Sequence, residues 1–77
     1  MEKMTADMLY QNIGKNVATY RKIKKLSQLE LSLLMGYKSV SVVSSAEVYY
    51  RKKHFNLEQL LKISHILGVD LCDLLKS

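Results

Sequence analysis

The chain has no proline, three glycines, one cysteine and one phenylalanine among its 77 residues. The lack of proline and shortage of glycine argue against a turn-rich β fold and for helices. The single cysteine, Cys72, rules out an internal disulfide and fits a reducing cytoplasm. The opening Met1-Glu2-Lys3-Met4-Thr5 lacks the apolar stretch of a signal peptide. No uninterrupted apolar run approaches the roughly 20 residues of a membrane span. Acids are sparse as well: none stands between Asp7 and Glu30. With 12 Lys and Arg against 7 Asp and Glu, the net charge is +5 and the pI about 9.4. That balance favours a polyanionic partner over a membrane surface. No glycine loop suits a nucleotide phosphate, and no Ser/His/Asp or Cys/His set has a pocket-forming context. An enzyme, a small-molecule substrate and a cofactor are therefore not expected. His65 and Cys72 are too few to hold a metal.

What is present is one small domain over residues 7–77, preceded by a flexible tail over residues 1–6. Thr5 or Asp7 starts a first helix on which Leu9, Ile13, Val17 and Tyr20 form one apolar stripe. Its other side carries Lys15, Arg21, Lys22, Lys24 and Lys25. These cations either contact phosphates or stand in solvent near a helix C-terminus that favours them. Ser27-Gln28-Leu29-Glu30 is a capping-box pattern for a second helix, about residues 28–35, which Gly36 ends. Ser39 is expected to cap a third helix over about 40–48. Asn56 caps a fourth, with Leu57, Leu60, Leu61, Ile63 or Ser64, and Leu67 facing inward, and Gly68 closes it. Asp70 caps a short fifth helix over about 71–75, with Asp73 in the capping-box position. His54 reads as a surface loop residue, His65 as partly buried, and Cys72 as a small core or interface residue. Of Tyr49 and Tyr50, one is expected to pack and the other to be exposed.

This ordered series resembles the Xre family of DNA-binding domains, the group that includes phage lambda repressor and Cro. The residues that carry the likeness are Ile13-Gly14-Lys15 with Val17, Tyr20 and Arg21, then Ser27-Gln28 with Leu31 and Gly36, then Glu47. Leu57-Glu58-Gln59-Leu60-Leu61-Lys62-Ile63 and Leu67-Gly68-Val69-Asp70-Leu71 complete it. The resemblance implies an all-α, compact five-helix lambda-repressor-like domain with a helix-turn-helix. It implies that Gln28 bonds a phosphate, that the early residues of helix three face base edges, and that Arg21 pairs with Glu47 to set that helix's angle.

Three features depart from the family pattern. Gly36 to Glu47 spans one step more than the commonest spacing. With Ser39 as cap, Val43 and Ala46 point inward, and Val40, Ser41, Val42, Ser44 and Ser45 point outward or sideways. The glycine expected soon after Glu47 is missing, and Val48, Tyr49 and Tyr50 are poor hosts for positive φ. Either the helix runs on or the turn is remodelled. Helix three also lacks the Arg, Lys, Gln or Asn that make bidentate base contacts, so direct readout is expected to be weak or A·T-leaning.

The expected partner is double-stranded DNA, bound by a homodimeric transcriptional regulator at an inverted repeat. Lys38, Ser39, Arg51, Lys52 and Lys53 join Gln28 and the helix-three residues as the expected DNA contacts. Val69, Leu71, Leu74 and Leu75 are the expected dimer interface, because helix five looks too short to bury them. The rival reading is a protein-interaction module with lost base readout. Leu29 and Leu33, an apolar pair on helix two, favour it unless they pack on Met4, Met8 or Leu9.

Overall fold

The structure is a computed structural model that describes residues 3–77; Met1 and Glu2, the start of the expected tail, lie outside the described residues. Among the described residues there are five α-helices, one 3-10 turn and no strand. They are α1 (Ala6–Ile23), α2 (Gln28–Leu34), α3 (Ser41–Glu47), the 3-10 turn (Tyr50–Lys52), α4 (Leu57–Leu67) and α5 (Leu71–Leu75). Thr5 caps α1 by accepting from the Met8 amide at 3.1 Å, so Ala6 already belongs to the helix.

Capping chemistry sets most of these boundaries. Ser27 accepts from the Glu30 amide at 3.0 Å and Glu30 accepts from the Ser27 amide at 2.8 Å. Asn56 and Gln59 make the same reciprocal pair at the head of α4, both bonds at 2.8 Å. At the other ends, α1, α2 and α4 close alike. Lys25, Gly36 and Gly68 each take a left-handed conformation just past the helix, at φ +59°, +95° and +67°. The next amide then reaches back: Leu26 to the Arg21 carbonyl, Tyr37 to that of Ser32, Val69 to that of Ser64. This six-to-one closure satisfies a helix-end carbonyl, and its following apolar residue packs on the core; Leu26, Tyr37 and Val69 all do so.

The core is a single cluster of Ile13, Val17, Leu31, Met35, Val43, Ala46, Phe55, Leu60, Ile63, Leu67 and Leu74. α1 packs against α3, α4 and α5. Its glycine makes that possible. A Cβ on Gly14 would stand 2.6 Å from the carbonyl oxygens of both Ala46 and Glu47. The backbone of α1 thus touches the end of α3 directly. Asn16 donates to the Leu74 carbonyl at 2.9 Å and also to that of Lys76, fastening the chain end to α1.

Several expectations are corrected. α3 starts one residue later than expected: Val40 is its N-cap, and the Ser39 hydroxyl meets the Ser41 hydroxyl at 3.3 Å instead of an amide. Leu57 and Leu61 do not face inward. They are 70 % and 50 % exposed, because the inward arc of α4 is centred on Leu60, Ile63, Ser64 and Leu67. His65 and Cys72 are exposed, the latter on the outer side of α5. Leu74, expected at a dimer interface, is wholly buried in its own domain, and Val69, Leu71 and Leu75 are half-buried against the same core.

Candidate nucleic-acid interface

The site is built around α3. Val43 and Ala46 anchor it to the core, which turns Ser41, Val42, Ser44 and Ser45 outward or sideways. Its C-terminal end is held by charge. Arg21 Nε donates to Glu47 Oε2 at 2.7 Å and Arg21 Nη2 to Oε1 at 3.1 Å, a bidentate pair. The third guanidinium bond goes from Nη1 to the Leu26 carbonyl at 2.8 Å. Both residues are almost fully buried, at 7 % and 6 % exposed. Losing one partner would strand the other's charge out of water.

Gln28 has a partner within the domain that the sequence did not announce. Its side-chain amide donates to Glu47 Oε1 at 2.8 Å. The α2 start, the α1 end and the α3 end thus converge on one carboxylate. Gln28 is half-buried, and that bond takes one of the two N–H groups of its side-chain amide. No buried side-chain nitrogen or oxygen among the described residues lacks a partner.

After Glu47 the chain behaves differently. The helix does not run on; Val48 is 72 % exposed and Tyr49 takes the left-handed conformation at φ +57°. Arg51 and Lys52 follow at φ +50° and +63°. The missing glycine is thus replaced by a bulky residue accepting the strain, on the order of 1–2 kcal/mol per left-handed residue. Contacts hold it there. The Tyr49 hydroxyl donates to Asp7, and the ring stacks with Tyr10, centroids 6.0 Å apart. That bond to a carboxylate, with burial second, pushes the Tyr49 phenol up to about 12. Tyr10 also stacks on His54 at 3.7 Å. Tyr50 stays half exposed, with the Arg51 guanidinium 5.2 Å from its ring centroid.

Folding back in this way, the loop faces α3. Ser41, Val42, Ser45 and Ala46 line one wall of an open recess of about 360 Å³, and Lys52, Lys53 and His54 line the other. Five of the expected contacts, Ser41, Val42, Ser45, Lys52 and Lys53, therefore share one concave surface. Lys38, Ser39 and Val40 are exposed in the turn that leads into α3, while Ser44 is half-buried and donates to the Ser41 carbonyl at 3.2 Å. Sequence reasoning gave Gly14 no part beyond the family likeness and Asp7 none beyond the start of α1, and it missed Tyr10. A glycine inside a helical pattern was the available signal for the first; the other two carry none.

The helix-turn-helix family model matches residues 17–74, most of the chain. The chain belongs to the helix-turn-helix family. It is of the Xre, lambda-repressor-like type, with the architecture of a DNA-binding regulator. No curated protein matches its sequence. No helix of this helix-turn-helix domain is long and apolar enough to cross a membrane among the described residues.

Proposed function

We propose that this chain is a transcriptional regulator, a repressor or a restriction–modification controller, that binds an inverted repeat in double-stranded DNA as a homodimer in the cytoplasm. The observation that carries this reading is the recess joining Ser41, Val42 and Ser45 of α3 to Lys52 and Lys53. One wall offers hydroxyls and a methyl surface for base edges, and the other offers two cations for the backbone. Affinity then rests on phosphates, through Lys38, Arg51, Lys52 and Lys53 and the free amides at the start of α2 beside Gln28. Ser39, Val40, Ser41, Val42, Ser44 and Ser45 and the shape of the groove supply the sequence preference. Dimerisation draws on Val69, Leu71 and Leu75, extended by the exposed Leu57 and Leu61 rather than by Leu74.

A second reading has its own support. Leu29 and Leu33 are 48 % and 55 % exposed on α2, and α3 has no bidentate base reader. Both suit a domain that binds a protein partner. A salt titration against random and genomic DNA fragments separates the two. A steep salt slope with a specificity ratio above about 10³ supports the regulator. Absence of binding at low salt favours the protein partner.

A further inference from the structure

The basic loop is anchored at two points. At its far end Phe55, the chain's single phenylalanine, is 2 % exposed in the core. At its near end Tyr49 bonds Asp7 and stacks on Tyr10, which stacks in turn on His54. Arg51, Lys52 and Lys53 lie between the anchors, fully on the surface, and two of them have left-handed backbone. Left to itself, so short a run of exposed, like-charged residues would relax toward conformations with φ below zero. Beyond the packing of the turn on α3, the α1 side chains Asp7 and Tyr10 oppose that relaxation from outside the loop.

We propose that Asp7, Tyr10, Tyr49 and His54 form a clasp that positions the Arg51–Lys53 loop for DNA, so that Asp7 and Tyr10 govern binding without touching the nucleic acid. The inference rests on the DNA-binding reading above. The residues fit this task in detail. The Tyr10 ring covers His54, and His54 Nδ1 lies 3.1 Å from the Lys52 carbonyl oxygen. His54 and Lys52 both line the recess beside α3. The chain of contacts from α1 thus ends on the wall that faces the recognition helix. Asp7 is the acid in the first turn of α1, where the helix end already favours a negative charge. It therefore accepts from Tyr49 without needing a cation nearby. In this arrangement the clasp is a positioning device, and Lys52 and Lys53 are the groups that meet the phosphates.

The test uses the full chain with Tyr10→Leu, Tyr10→Phe, Tyr49→Phe and Asp7→Asn, with the exposed Ile23→Ala as a surface control. The first readout needs no DNA: the rate at which trypsin nicks the folded protein after Arg51, Lys52 or Lys53. Tyr10→Leu is expected to raise that rate, and Tyr10→Phe, which keeps the stacking ring, to restore it. The second readout is the salt dependence of DNA binding. Tyr10→Leu is expected to weaken binding on the order of tenfold at fixed salt and to lower the slope by about one unit for each phosphate the loop no longer reaches. Tyr49→Phe, which loses the hydrogen bond to Asp7, and Asp7→Asn, which keeps an acceptor but loses its charge, fall between wild type and Tyr10→Leu. A wild-type chain that binds DNA, beside a Tyr10→Leu variant with unchanged slope and affinity, overturns the clasp. A wild-type chain that binds no DNA overturns the DNA-binding reading on which the positioning role rests. In that case the nicking rates still tell whether the clasp holds the loop. If Tyr10→Leu proves unfolded, Asp7→Asn and Tyr49→Phe at the surface decide the question in the same two assays.

Discussion

The end of α3 and the loop that follows it are neighbours in sequence and opposites in construction. The helix end is held from inside. Arg21, Gln28 and the Leu26 carbonyl meet Glu47 or its partner through four bonds, and Gly14 lets α1 press against the Ala46 and Glu47 carbonyls. The loop, beyond its Phe55 anchor, is held at the surface. Three of its residues carry left-handed backbone, and the half-buried Tyr10 and Tyr49 with the exposed Asp7 and His54 pack beside it. A buried bidentate pair has one geometry and a large penalty for leaving it. A surface stack can be surrendered at little cost. The comparison teaches that this helix-turn-helix domain fixes α3 rigidly while leaving the adjoining cations adjustable, a division that would suit the proposed function, with bases read by one part and the backbone followed by the other.

The largest effect should come from breaking the inner holder. Glu47→Ala leaves the Arg21 guanidinium buried with one carbonyl and orphans the Gln28 amide. It should cost about 3–5 kcal/mol in urea denaturation, and Arg21→Ala about as much. Replacing both by apolar residues of similar volume should recover most of that loss. Next comes Gly14→Ala. Alanine favours helix by about 1 kcal/mol over glycine, yet the clash with two carbonyl oxygens should make the variant about 2–3 kcal/mol less stable.

The outer holder should respond in the opposite sense. Lys52→Gly removes a side chain from a left-handed position. Relief of about 1 kcal/mol, partly offset by the freer unfolded chain, should leave the variant about 0.5 kcal/mol more stable. Its DNA affinity should fall, since a cation has gone. A stability gain with a binding loss would mark the loop as shaped for contact rather than for folding. The smallest effect concerns pH. The Ser27 amide, with the Ser27 hydroxyl second, holds the Glu30 carboxyl below the usual carboxylate range. A depressed native pKa stabilises above the unfolded value of 4.5 and loses that contribution as pH falls through the native one. The urea midpoint of the wild type should therefore drop on the acid side, and Glu30→Gln should flatten part of that limb.

Much of this contrast was legible in residues and much was not. Ser27, Asn56, Gly36 and Gly68 mark their helix ends because capping is local chemistry, complete within a few positions. Val43 and Ala46 follow from helical spacing once α3 has a start. The start itself was misplaced by one residue, because Ser39 looked like a cap and spacing cannot say which atom its hydroxyl meets. Leu57 and Leu61 looked like core for a related reason. Periodicity identifies an apolar arc, but how much of it neighbours cover depends on α1 and α5. The loop was the hardest. A missing glycine announces that something must change, but the stack that permits it joins Tyr10 to His54 across most of the chain. No local rule connects those two positions. Gly14 stood in plain view, but the partner it approaches is backbone, which no side-chain pattern reveals.

The rigid helix and the yielding loop can be separated by native-state amide hydrogen exchange in the absence of DNA. The amides of Ser45, Ala46 and Glu47 in α3 should exchange only through opening events close in free energy to global unfolding. The amides of Lys52 and Lys53, which donate to the Tyr49 and Tyr50 carbonyls at 3.2 and 2.9 Å, should exchange through much cheaper local opening. Loop amides as protected as those of Ala46 and Glu47, or an α3 end that opens as readily as the loop, would contradict the account.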